Sequence, residues 1–351
     1  MSIFTRIKDW IFGESLPGAQ AQSPVNINIT VNPGETEAPR DGRKPRILIS
    51  GGGDDSKSIA AAVAMIRGAG GEPVVITNHA ELVQQLGSAE QAVAPILANV
   101  DGVMVMGSDT DHDPAKYGQA KNAATKLAAN SARSDVDDAL IGKALESGVP
   151  LLGVCAGMQA INIHDHKENG GTLHQHVPDI VGDNHHMQGA DDQDKIPPFV
   201  PVQFVAIQPD TALSAIAGST PGLYTPQHGG LPPGVVMENS FHHQAVNKVH
   251  KEFRAAAVSD DGIIEAIEPK QGGKYDHQFV MGVQWHPEFG ASDLGAKLAA
   301  TFTEAARNYV LGKEQKHPEH RIDQALANAI QQGPMVARLM MERQQRAILG
   351  R

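Results

Sequence analysis

The stretch Val149-Pro150-Leu151-Leu152-Gly153-Val154-Cys155-Ala156-Gly157-Met158-Gln159 carries the single cysteine of a 351-residue chain. Val149 to Val154 is an apolar run that predicts a buried strand, and the glycines flanking Cys155 predict a tight turn into a helix. Such an elbow lifts one side chain out of the backbone and aims it at a helix N-terminus. There the free N–H groups and the macrodipole favour a thiolate. Far downstream, Gly282-Val283-Gln284-Trp285-His286-Pro287-Glu288 is a second strand-like run that ends in a histidine and a carboxylate. Cys155, His286 and Glu288 therefore supply a nucleophile, a base and an orienting acid. A lone cysteine is by itself more often inert core filling. The elbow together with the distant His-Pro-Glu turns the reading toward catalysis.

Outward from the elbow, short apolar runs alternate with helical patterns. Strands are predicted at Arg46–Ser50, Pro73–Ile76 and Asp101–Met106, and helices at Ile59–Gly68, Ala89–Asn99 and Asp135–Ser147. This alternation predicts an α/β fold with a mostly parallel central sheet and helices on both faces. Reactive groups of such sheets gather at the carboxyl ends of the strands, where both the Cys155 and His286 runs end. Further on, 200–207 reads as a strand, and 262–267 and 279–283 read as partners in a small antiparallel element. A helix over 294–311 closes the body. Gly51-Gly52-Gly53 is not a dinucleotide fingerprint, because Ser56 stands where the last glycine would be.

Three domains are expected: 1–44, 45–312 and 313–351. In the first, Ile3, Phe4, Ile7, Trp10 and Ile11 recur at helical spacing, and a Pro- and Gly-rich linker follows. Three readings stay open for this amphipathic helix: docking on the body or on a second subunit of a homodimer, weak attachment to a membrane surface, and recruitment of a protein partner. The last segment is expected to be a helical tail. The formal net charge of -11 argues against nucleic acid as a partner of the body. One cysteine excludes an intramolecular disulfide and suits a reducing, cytoplasmic setting. No stretch approaches a membrane span of roughly 20 apolar residues, and the N-terminus lacks the pattern of a secretory signal.

Four segments lie in a telling order: Gly107-Ser108-Asp109-Thr110 after the third strand, the Cys155 elbow, Asn239-Ser240-Phe241-His242-His243-Gln244-Ala245-Val246, and Gly282 to Glu288. Over roughly residues 45–312 they resemble the class I glutamine amidotransferase-like superfamily, a flavodoxin-like fold. Within it the chain is similar to the gamma-glutamyl-gamma-aminobutyrate hydrolases, cysteine peptidases acting on gamma-glutamyl bonds. The resemblance implies that Cys155 attacks the side-chain amide carbonyl, His286 moves the proton and Glu288 holds the imidazole. It also implies an oxyanion hole from the backbone N–H groups of Ser108 and Ala156. Gln159, Ser240 and His242 match positions that face the glutamyl head group. No cofactor is implied.

Two positions depart from the hydrolase pattern. Ser108 replaces a usual second glycine, and Ala156 stands where arginine is common. Ala156 resembles instead the elbow of amidotransferase glutaminase subunits, so a glutaminase serving a partner synthase is the alternative reading. A non-catalytic scaffold of the same fold is the third. The histidines at 164, 166, 174, 176, 185 and 186 are expected to be surface or loop residues, with no metal site.

Overall fold

A computed structural model describes residues 44–52, 56–188, 196–218 and 234–315. The expected N-terminal helix and linker (short of residue 44), the Pro- and Gly-rich stretch 221–233 and the tail beyond 315 lie outside the described residues. The strands are β1 (Arg46–Ser50), β2 (Glu72–Ile76), β3 (Gly102–Val105), β4 (Leu151–Val154), β5 (Leu173–His174), β6 (Gln203–Ile207), β7 (Val235–Glu238), β8 (Ala245–Val246), β9 (Phe253–Ser259), β10 (Ile264–Pro269) and β11 (Val280–Val283). The helices are α1 (Ser56–Gly68), α2 (His79–Leu86), α3 (Ala89–Ala98), α4 (Ala132–Ser147), α5 (Ala156–Ile163), α6 (His166–Asn169), α7 (Pro178–Val181), α8 (Ala212–Ala217) and α9 (Asp293–Gln315).

The sheet runs β2-β1-β3-β4-β11-β10-β9-β6-β7, with β8 pairing β10 and β5 off this path. From β2 to β11 every pairing is parallel. The strands β3, β4 and β11 are buried at every residue, which is why their sequences are continuous apolar runs rather than alternating ones. One group of helices, α1 and α9, packs together and onto β1; another, α2, α3 and α4, packs together, with α4 against β3 and β4. This is the expected α/β architecture.

The antiparallel part is larger than the small element expected. Beyond β11 the pairings β10–β11, β9–β10, β6–β9 and β6–β7 are all antiparallel. The strand in the middle of this part, Phe253-Arg254-Ala255-Ala256-Ala257-Val258-Ser259, has an alanine-rich centre that disguises it as helix by propensity. Its alanines are forced extended because β10 lies on one side and β6 on the other. The carboxylate of Glu268 on β10 then accepts the N–H groups of Ala212 and Leu213, each at 3.0 Å, capping α8 where the free N–H groups and dipole favour an anion. Arg254 of β9 pairs with the same carboxylate at 2.6 Å.

The carboxyl of Glu238, at the end of β7, accepts the Ser292 hydroxyl at 2.5 Å. Burial pushes its carboxyl up to about 8, with Asp293 and Glu265 adding to the rise against the Ser292 bond. The unfolded chain releases this proton near the ordinary glutamate value, whereas the folded chain keeps it until about pH 8. Stability contributed by the neutral form is therefore lost as pH rises through that window. Thermal melts of Glu238→Gln should show a gain in Tm over wild type near the upper end and none near the lower end. An equal gain at both ends would contradict the assignment.

Candidate active site

Three neighbouring strands deliver the site. Gly107 follows β3, Cys155 follows β4 and His286 follows β11, each within three residues of its strand's end, and β4 lies between the other two. The ladder continues into the elbow, where the Cys155 N–H donates to the Val283 carbonyl at 2.8 Å. Cys155 then adopts φ 53° and ψ -111°. An L-residue held there costs about 1–3 kcal/mol and persists only where its surroundings enforce it. The enforcement is steric. A Cβ at Gly157 would lie 2.0 Å from the Val105 carbonyl oxygen, and one at Gly153 would lie 2.7 Å from the Gly157 backbone. The two glycines let α5 sit directly against β3 and β4, and the chain has room to turn only through Cys155.

The imidazole of His286 reaches both partners. Its Nδ1 lies 2.8 Å from Glu288 Oε1, and Cys155 is close enough to favour its charged form. Burial opposes protonation of His286, but Glu288 and Cys155 outweigh it and hold the imidazole well above its ordinary value. Glu288 is fixed in turn by the Ser58 hydroxyl of α1, which donates to Oε1 at 2.5 Å. The backbone of His286 is clamped by Asn239, whose Oδ1 accepts the His286 N–H at 2.8 Å and whose Nδ2 donates to the His286 carbonyl at 2.9 Å. Phe241 and Phe289 stand against the imidazole, with ring centroids at 5.7 and 5.8 Å. Cys155 keeps 6% of its surface exposed.

The loop after β3 closes against these groups. A Cβ at Gly107 would stand 3.0 Å from His286 Cε1 and 3.4 Å from Cys155 Cβ. Arg133 of α4 donates from Nη2 to the carbonyls of Met106 at 3.0 Å and Gly107 at 2.5 Å. Arg133 is itself held by Asp137 at 3.4 Å, and Asp137 accepts the Ser50 hydroxyl at 2.5 Å. Because a trans peptide points its C=O and N–H in opposite directions, the Ser108 N–H faces away from Arg133. Ala156 is the first residue of α5, so its N–H belongs to the first turn that has no acceptor within the helix. Gly107, Arg133, Ser58 and Asn239 had no assigned role in the sequence. Only contacts across distant segments reveal them.

Gln159, Ser240 and His242 are all buried. Gln159 Nε2 donates to the Gln244 carbonyl at 2.9 Å and to Gln284 Oε1 at 3.1 Å. The Ser240 hydroxyl donates to the His186 carbonyl at 3.1 Å, and His242 lies 3.2 Å from His186. His164, His176 and His185 pair separately with Asp138, Asp179 and Asp183, as residues of loops and edges do. His186 departs from the surface placement expected of it: it is 2% exposed, drawn inward by Asp261 and His242.

The peptidase C26 family model matches residues 51–288. The chain belongs to the peptidase C26 family. A presumed glutamine amidotransferase of Mycobacterium tuberculosis is 32% identical over 228 residues, covering 65% of this chain and 63% of that protein. The chain thus matches less than two thirds of that relative's length. The gamma-glutamyl-gamma-aminobutyrate hydrolase of Escherichia coli O157:H7 is 26% identical over 255 residues, covering 70% of this chain and 85% of the relative. Among solved structures, a glutamine amidotransferase of Thermotoga maritima covers 86% of this chain and 98% of its own, at 13% identity and a TM-score of 0.43.

The raised His286 value sets a titration. The ring stays doubly protonated as pH passes the ordinary histidine value and loses its proton only well above it. Nitrogen NMR of the labelled protein should show this, and Glu288→Gln should move the midpoint downward by removing the carboxylate that favours the charged form. An unchanged midpoint in the variant would contradict the coupling.

Proposed function

We propose that this chain is a cysteine hydrolase of gamma-glutamyl amide bonds. The observation that carries the reading is the meeting of Cys155, His286 and Glu288 at the carboxyl ends of β4 and β11. The Cys155 thiol gives its proton to His286, the sulfur attacks the side-chain amide carbon, and the electron pair moves onto the carbonyl oxygen. The N–H groups of Ala156 and Ser108 receive that charge, with Arg133 fixing the direction of the second by holding the Gly107 carbonyl. The C–N bond then breaks, and His286 gives its proton to the leaving amine. Water attacks the resulting thioester, His286 takes its proton, and glutamate leaves as the thiol is restored. Glu288 keeps Nδ1 occupied so that the other ring nitrogen does this work.

Gln159 and His242, expected from the sequence at the head group, act in this reading from beneath it, by supporting the 240–246 segment through the Gln244 carbonyl. Ser240 does the same through His186. The name of the E. coli relative supports gamma-glutamyl-gamma-aminobutyrate as a substrate. Ala156 at the elbow and the Mycobacterium relative favour the second reading, a glutaminase that passes ammonia to a partner synthase.

The purified full chain, incubated alone with gamma-glutamyl-gamma-aminobutyrate, should release glutamate, and Cys155→Ala should lower the rate by at least about a thousandfold. Release from glutamine alone, rising when a synthase is supplied, would replace the first reading with the second. Equal slow rates for wild type and variant would refute both.

A further inference from the structure

A second buried cluster takes no direct part in the bond changes of the proposed reaction. His186, His242 and Glu265 are 2%, 5% and 0% exposed. His186 Nδ1 is 3.2 Å from His242 Nε2, and each of these nitrogens is 3.5 Å from Glu265 Oε1. Neither oxygen of Glu265 has a hydrogen-bond partner among the described residues. A carboxylate buried in this way is costly unless a cation stands beside it.

The outer contacts decide which atoms face inward. His186 Nε2 lies 2.7 Å from Asp261 Oδ2. The same carboxylate accepts the Ser259 hydroxyl on its other oxygen, so the oxygen facing the ring accepts too. His242 Nδ1 lies 2.9 Å from the Gln244 carbonyl oxygen, which can only accept. Each ring therefore donates its outer N–H and, when neutral, turns a lone pair inward. Two lone pairs and a carboxylate then converge, while the adjacent Ser240 hydroxyl, 3.4 Å from His186 Nδ1, has the His186 carbonyl as its nearer acceptor. One shared proton could join the two rings and face Oε1 of Glu265 but would leave Oε2 unpaired.

We propose that His186 Nδ1, His242 Nε2 and Glu265 Oε1 bind a divalent transition-metal ion of the zinc class. Tetrahedral zinc with nitrogen and oxygen ligands at about 2.0–2.1 Å places neighbouring ligand atoms about 3.3 Å apart, against the 3.2, 3.5 and 3.5 Å found. Asp261 and the Gln244 carbonyl are the outer partners that fix ring orientation in such sites. Ser240 Oγ lies 3.4 Å from His186 Nδ1, at the edge of the cluster. The charges also suit: two neutral imidazoles with Glu265 and Asp261 total the charge that a divalent ion cancels. The ion ties the 183–188 loop, the 240–246 segment and β10 together. Phe241, between two of the tied residues, is the ring that stands against His286.

The test uses the full chain carrying Cys155→Ala, which removes its only thiol. After chelator treatment, calorimetric titration with zinc chloride should show one equivalent bound, and the ion should raise Tm. X-ray absorption of the loaded protein should report two imidazole nitrogens and oxygen at about 2.0–2.1 Å. Adding Glu265→Gln should weaken binding by more than the about 10–100-fold that loss of an outer partner costs, and should abolish the Tm rise. The absence of uptake by Cys155→Ala would overturn the proposal in favour of a shared proton. Uptake that Glu265→Gln leaves unchanged, or an absorption spectrum without two imidazoles, would overturn it in favour of adventitious surface binding. None of these readouts depends on hydrolytic activity.

Discussion

Cys155 occupies a backbone conformation that an L-residue resists, with φ 53°, and the geometry of the site follows from it. The strand β4 lies between β3 and β11, so the turn at its end opens beside the ends of both neighbours. Gly153 and Gly157 allow α5 to come down on the sheet until no other path remains for the chain. The result is a sulfur held beside His286 at the start of a helix. Strain of this kind is stable only where packing overdetermines it, and Val154 and Met158, on either side, are fully buried.

Around the elbow, polar contacts fix what packing cannot. Asn239 clamps the backbone of His286 from β7's end, Ser58 holds Glu288 from α1, and Arg133 holds the loop after β3 from α4. Each of these comes from a different element, so the site is assembled by the tertiary fold. Preorganised donors and acceptors need not reorganise when charge develops, and this is where such sites gain most of their effect. The family to which the chain belongs, peptidase C26, fits that arrangement.

Much of this was legible in the sequence because local patterns carried it. The apolar runs 46–50, 101–106 and 149–154 could only be buried strands, and their parallel pairing followed from the helices between them. Cys155, His286 and Glu288 were legible because each ends such a run. Four features were not legible. β9 has an alanine-rich centre and is extended only because its neighbours make it so. Arg133 lies on α4, where a charged residue normally faces solvent, and its role depends on two carbonyls 26 and 27 positions away. Gly107 reads as loop glycine until the His286 ring is seen against it. His186 reads as one of a run of loop histidines. Its burial depends on Asp261 and Glu265, which are 75 and 79 residues further along the chain.

The central claim is that the elbow makes the sulfur of Cys155 the atom that bonds to the substrate. Rapid quenching of the enzyme during turnover of a gamma-glutamyl amide, followed by peptide mass spectrometry, tests it most directly. The account predicts one gamma-glutamyl group attached to the peptide containing Cys155. Turnover that proceeds with no adduct at any time, or with the acyl group on another residue, would contradict it.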